Sequence, residues 1–149
     1  MTEKTYGTVM FPDKIDITDP GYDEDVWCRV NNFPISAGEY ECYAVIASNE
    51  DTHNWGTRVM KCGIRKVGEK GAFFSEVARI GVDGGLAGFF NCDNMKVFED
   101  ILNDDIKKVY KGDNYFVTST GFGDGSYPVY AGYSGDKVVE VYIEFIEKE

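Results

Sequence analysis

The chain has 149 residues, 43% of them hydrophobic and 15% aromatic, and its 26 acidic against 15 basic residues give a formal charge of -11. That length fits one domain, residues 1–149, able to bury roughly two-thirds of its unfolded surface without disulfides or metals. The charge repels phosphate backbones and anionic lipid over about a Debye length, which excludes generic nucleic-acid and membrane-surface binding. No run of about eighteen apolar residues offers a membrane span.

In chain order, residues 5–11 (Thr-Tyr-Gly-Thr-Val-Met-Phe) predict a first strand that Pro12 ends. Between Asp13 and Asp25 five aspartates and Glu24 surround the turn signal Asp19-Pro20-Gly21. The spacing of a helix-flanked calcium loop is missing there, so a solvated acidic turn is expected. Val26–Val30 returns to β-type residues. From Glu39 to Ser48, Tyr40, Cys42, Ala44 and Ile46 alternate with Glu41, Tyr43 and Val45, which is the period of a strand. A polar loop follows, then an antiparallel neighbour over Trp55–Val67 and another strand over Phe73–Val82.

One segment carries helical spacing. Asp93 and Asn94 can cap it, and Val97, Phe98, Ile101 and Leu102 recur on one face, predicting one short helix over about 93–110. Tyr115–Thr120 restarts strand and leads into a loop punctuated by Gly121, Gly123 and Gly125. After a strand and the turn Ser134-Gly135-Asp136, residues 137–145 alternate, with Val139, Val141, Ile143 and Phe145 opposite Glu140, Tyr142 and Glu144. Seven to nine short strands with one helix predict a mainly β fold, an antiparallel β-sandwich or partly open barrel.

The four cysteines, Cys28, Cys42, Cys62 and Cys92, form no C-x-x-C pair and are expected as buried or half-buried thiols. With no secretory signal recognised, a cytoplasmic setting is expected. No cofactor or metal is expected: His53 is the only histidine, which leaves imidazole metal sites and a serine or cysteine hydrolase without their parts.

Two glycine-rich turns could carry chemistry, one holding Asp83, Gly84 and Gly85, the other Gly123, Asp124 and Gly125, with Tyr127 and Tyr130 following. Successive amides in such turns can form an anion-binding concavity. The two carboxylates could bind a cation, act as acid and base, or cap backbone amides, and the last is ordinary turn chemistry. Three segments taken in order, Arg58-Val-Met-Lys61, the stretch from Val82 to Phe90 and the stretch from Gly121 to Tyr133, resemble a bacterial family known as domain of unknown function 4241. The likeness covers most of residues 38–147, with Gly84 standing where the family usually has alanine. It implies a β-rich fold and brings no established activity, cofactor or catalytic residue.

The expected function is a non-enzymatic protein-interaction module that presents the Asp83 and Asp124 loops and nearby tyrosines to a protein partner. One alternative is a small-ligand binder, such as one sequestering a phosphorylated nucleotide signal, with Gly84, Gly85, Gly123 and Gly125 supplying amides and Arg29, Arg58, Arg65 or Arg79 supplying charge. The other is a hydrolase built on Asp83 and Asp124, alone or with a divalent cation.

Overall fold

The computed structural model describes residues 1–103 and 108–147. In chain order its elements are β1 (Thr2–Phe11), β2 (Lys14–Thr18), β3 (Val30–Pro34), β4 (Gly38–Ala47), β5 (Arg58–Lys66), β6 (Phe73–Val82) and β7 (Leu86–Phe90). The helix α1 (Asn94–Leu102) follows, then β8 (Val109–Lys111), β9 (Tyr115–Ser119), β10 (Gly125–Ser134) and β11 (Lys137–Glu144). They build two antiparallel sheets, six strands in the order β1-β4-β5-β11-β10-β6 and five in the order β3-β2-β7-β9-β8.

Alternation along the strands decides which faces meet. From the large sheet Tyr40, Cys42, Ala44, Cys62, Ile64, Val129, Val141 and Ile143 turn inward, and from the small one Ile15, Ile17, Phe89 and Phe116 meet them in one buried cluster. A bulge in β11, where Gly132 and Tyr133 shift partners from Glu140 to Val138, lets Val138 join that core as well.

The small sheet is apolar on both faces. Phe90 and Val117, neighbours of Phe89 and Phe116 in sequence, point the other way, and there Val97 and Ile101 of α1 cover them together with Tyr110. Asp93 caps the helix by accepting the Met95 amide at 3.0 Å. The helix stops at Leu102 with no basic residue in its last turn, so it is shorter than the expected 93–110. Residues 104–107 lie outside the described residues, and Val109–Lys111, expected at the helix end, instead pair with β9 as strand. Among the described residues no helix is long and apolar enough to cross a membrane.

The outer face of the large sheet carries interlocked aromatic and charged side chains. Tyr43 on β4 lies over Gly63 of its neighbour β5 and reaches β11, where its hydroxyl donates to Glu140 Oε2 at 2.5 Å. Arg65 covers the Tyr43 ring at 4.4 Å and pairs with Glu3 and Glu41, and Lys61 sits 3.7 Å from the centroid of Tyr142. Tyr43 is thereby only 1% exposed although its strand turns it away from the core.

Candidate functional site

The two glycine turns predicted from the sequence do meet in space. The turn between β6 and β7 offers three successive amides, and two of the chain's own carboxylates take them. Asp83 N and Gly84 N donate to Asp19 Oδ2 at 2.8 and 2.7 Å, and Gly85 N donates to Asp124 Oδ1 at 3.1 Å. Gly85 adopts φ +68° there, and its carbonyl accepts the Thr120 amide at 3.2 Å. The amides of Gly84 and Gly85, expected to be offered to an outside anion, are taken by carboxylates from within the chain.

Asp19 is the centre of this arrangement. It is 1% exposed, and its second oxygen accepts the Gly21 amide at 2.8 Å. The acidic stretch 13–25 is thus fastened inward at Asp19 and partly at Asp16, while Asp13, Asp23, Glu24 and Asp25 are exposed as expected of a solvated turn. Asp16 accepts the Asn32 amide at 2.9 Å and lies 3.1 Å from Nη2 of the buried Arg29, and Asp23 caps the Asp25 amide. Arg29 also donates to Tyr22 O and to the side chains of Asn31 and Asn94, which ties the acidic loop to the start of α1.

The carboxylate of Asp83 is exposed, and Gly84 and Gly125 are exposed beside it. Gly123, at φ +115°, donates to Thr120 O, and its carbonyl accepts from Thr120 Oγ1 and from the Tyr127 hydroxyl at 2.6 Å. Tyr127 packs edge-on against Phe145, and Tyr130 stacks on Tyr142 with 5.0 Å between ring centroids. Both tyrosines are half-buried parts of the scaffold. Among the described residues no group of three or more histidine, cysteine or acidic side chains is placed to hold a metal ion.

What the sequence did not disclose is the meeting of Trp55 with Phe122 and Arg58, one residue from Gly123. Phe122, held between two glycines of positive φ, is 55% exposed, and the ring of Trp55, 69% exposed, meets it edge-on with 6.4 Å between centroids. Trp55 comes from the loop between β4 and β5, in which His53, Asn54 and Gly56 all have positive φ. That geometry costs non-glycine residues about 1 kcal/mol or more, so the loop needs support. The support is dense. Thr52, 6% exposed, donates to Gly56 O at 2.6 Å, Asn49 accepts the Gly56 amide, and Asp51 accepts from both the amide and the hydroxyl of Ser48.

Arg58 completes the patch, its guanidinium carbon 5.6 Å from the Phe122 centroid and its Nε donating to Trp55 O at 3.0 Å. Thr52, His53, Trp55, Arg58 and Phe122 line an open cleft of about 460 Å³. An adjoining cavity of about 310 Å³ shares Thr52, His53 and Phe122 and adds Ala47, Met60 and Ile146. Trp55, expected to open the strand over Trp55–Val67, instead lies in the loop ahead of β5, which begins at Arg58, and the phenylalanine between two glycines was the available signal.

The other three arginines lie elsewhere and are neutralised. Arg29 pairs with Asp16, Arg65 with Glu3 and Glu41, and Arg79 with Glu76. All four cysteines are free thiols. Burial pushes the Cys42 and Cys62 thiols up to about 12. Compared with models of known families, with curated proteins and with solved structures, the chain has no match.

Proposed function

We propose that this chain is a non-enzymatic protein-interaction module, cytoplasmic in setting, that recognises a protein partner through Trp55, Phe122 and Arg58. The observation that carries the reading is the edge-on pair of exposed rings on two braced loops, with a guanidinium against one of them. Tryptophan, aromatic and arginine side chains dominate binding energy at protein interfaces, and rigid loops lose little entropy when they dock. A strained, heavily bonded loop that holds an apolar side chain out in water has no other return in stability. The free thiols suit a reducing compartment, and the net charge keeps such a surface soluble.

The test is affinity capture with the wild-type chain and with Trp55→Ala, Phe122→Ala and Trp27→Ala, the last altering a tryptophan that is 94% exposed on another loop. A partner retained by wild type and Trp27→Ala, and weakened about tenfold or more by the other two, supports the reading. Equal retention by all four forms, or by none, overturns it. A second reading, a binder of small aromatic anions including nucleotides, is favoured by the same cleft, where two rings and one guanidinium converge. Such a ligand at a hundred times its dissociation constant would add about 2.7 kcal/mol to the folded state, a shift that thermal melting reads directly.

A further inference from the structure

The cleft beside Phe122 holds the one arginine of the described residues that has no carboxylate partner. Three of the four arginines are matched to carboxylates. Arg58 is matched to none among the described residues, in a chain whose formal charge is -11. Its Nε donates to the Trp55 carbonyl and its guanidinium carbon lies 5.6 Å from the Phe122 centroid. Its two Nη groups make no hydrogen bond among the described residues. A guanidinium held by one edge presents the opposite edge as a two-pronged donor, and the complement of that fork is a carboxylate.

Charge selects the kind of anion. Arg58 is the only arginine or lysine lining the cleft, while the adjoining cavity is lined by the Met1 ammonium, which pairs with Asp51 at 2.8 Å, and by Glu147. One guanidinium balances one negative charge. A phosphomonoester, which carries about -1.5 to -2 at neutral pH, would bring surplus charge to an acidic molecule. The apolar neighbours select the rest. Trp55 and Phe122 line the cleft with Arg58, and Met60, Ala47 and Ile146 line the adjoining cavity, which shares Phe122.

Resting on the interaction reading above, we infer that the partner presents a peptide carboxylate to Arg58, next to an aromatic or large aliphatic side chain that packs against Phe122 and Trp55. The carboxylate belongs either to a chain terminus or to an aspartate or glutamate beside the apolar residue. The chemistry is common to the two sources.

The experiment is an NMR titration of the full chain labelled with ¹⁵N, reading the Trp55 indole N–H, with Trp27→Ala used to assign that signal. The probes are N-acetyl-phenylalanine and its amide for the terminal carboxylate, acetyl-Phe-Asp-amide and acetyl-Phe-Asn-amide for the side-chain source, and phenyl phosphate for the dianion. The expected result is that at least one acid binds about tenfold more tightly than its uncharged twin and moves the Trp55 signal. That preference disappears in Arg58→Gln and is reduced in Arg58→Lys, whose charge remains but whose fork is gone. The amide dispersion of the same spectra reports whether each variant is folded.

The inference is overturned if each acid and its twin bind alike, if phenyl phosphate binds more tightly than either acid, if no probe moves Trp55, or if Arg58→Gln keeps the preference. Partner capture that depends on Trp55 and Phe122 alongside indifference to the carboxylate would leave the interaction reading standing and remove only this one. A carboxylate preference without protein capture would remove the interaction reading and with it the partner inferred here, leaving the cleft as a binder of small aromatic anions.

Discussion

The carboxylate of Asp19 accepts the amide of Gly84 at 2.7 Å across 65 residues of chain. With the Asp83 and Gly21 amides it completes a three-donor seat around a side chain that is 1% exposed. A buried carboxylate is stable when amides replace the water it has lost, and the amides of a tight turn are themselves satisfied only by such an acceptor. The turn between β6 and β7 is organised by this seat, which joins it to the loop after β2.

Removing that acceptor should therefore cost more than removing Asp124, which is exposed and bonds a single amide that water can reach. Asp19→Ala is expected to lower stability by about 3 kcal/mol and Asp124→Ala by about 1 kcal/mol in urea unfolding. Equal losses would mean that Asp19 is not the organising group.

Three glycines separate by what lies over them. At Gly88 a methyl group would run into the Phe116 carbonyl oxygen and Val117 Cα of β9, which are backbone and cannot turn aside. At Gly63 it would meet the buried Tyr43 ring, and at Gly132 it would come 2.5 Å from Cε1 of Phe74, a ring 42% exposed and able to swing. The expected order of destabilisation for alanine is Gly88, then Gly63, then Gly132, from about 4 kcal/mol or loss of folding down to about 1 kcal/mol. Denaturant midpoints check the order.

Thiol reactivity should divide the cysteines in two pairs. Cys42 and Cys62 are 0% exposed with thiols pushed up to about 12, while Cys28 and Cys92 are half-buried. At pH 8 a disulfide reagent is expected to label Cys28 and Cys92 first, and Cys42 and Cys62 only on addition of denaturant. Prompt labelling of all four in the native protein would contradict the packing of β4 against β5.

Burial also raises the phenols of Tyr40 and Tyr43, and for Tyr43 the nearby Glu140 carboxylate adds to the effect. Groups whose folded values are raised contribute stability that is whole below the ordinary tyrosine value of 10.0 and is lost as pH climbs through the folded values. Alkaline titration followed by phenolate absorbance should find two of the ten tyrosines ionising only as the chain unfolds. A smooth titration of all ten ahead of unfolding would be inconsistent with it.

The two tryptophans are 94% and 69% exposed, so native emission should resemble that of tryptophan in water and change little on unfolding. Trp55→Ala is expected to alter stability by no more than about 0.5 kcal/mol. Acrylamide quenching and a urea titration check both statements.

Strands β4, β5, β6 and β11 were legible because a period of two, carried by Tyr40, Cys42, Ala44 or by Val141, Ile143, Phe145, needs no knowledge of the partner strand. β7 was hidden because Ala87 and Gly88 read as loop, although Gly88 is glycine so that β9 can approach. β2 was hidden behind its aspartates, while Ile15 and Ile17 carried the strand signal. Asp83 and Asp124 were legible as turn residues. The role of Asp19 was not, since a lone carboxylate next to Pro20 does not disclose amides from a turn 64 residues away. Neither was the meeting of Trp55 with Phe122, which depends on how two sheet ends come together.

The strand order has a consequence for how the molecule is made. β11 lies between β5 and β10, so the six-stranded sheet consists of a three-strand half and a two-strand half that are hydrogen-bonded to one another only through the final strand in chain order. A nascent chain emerging from the ribosome carries two open edges with no bridge until β11 arrives, and closure then relies on pairings distant in sequence. Losing β11 would cut the sheet in two rather than trim it, so even a premature stop that removes only this last strand takes away the bridge.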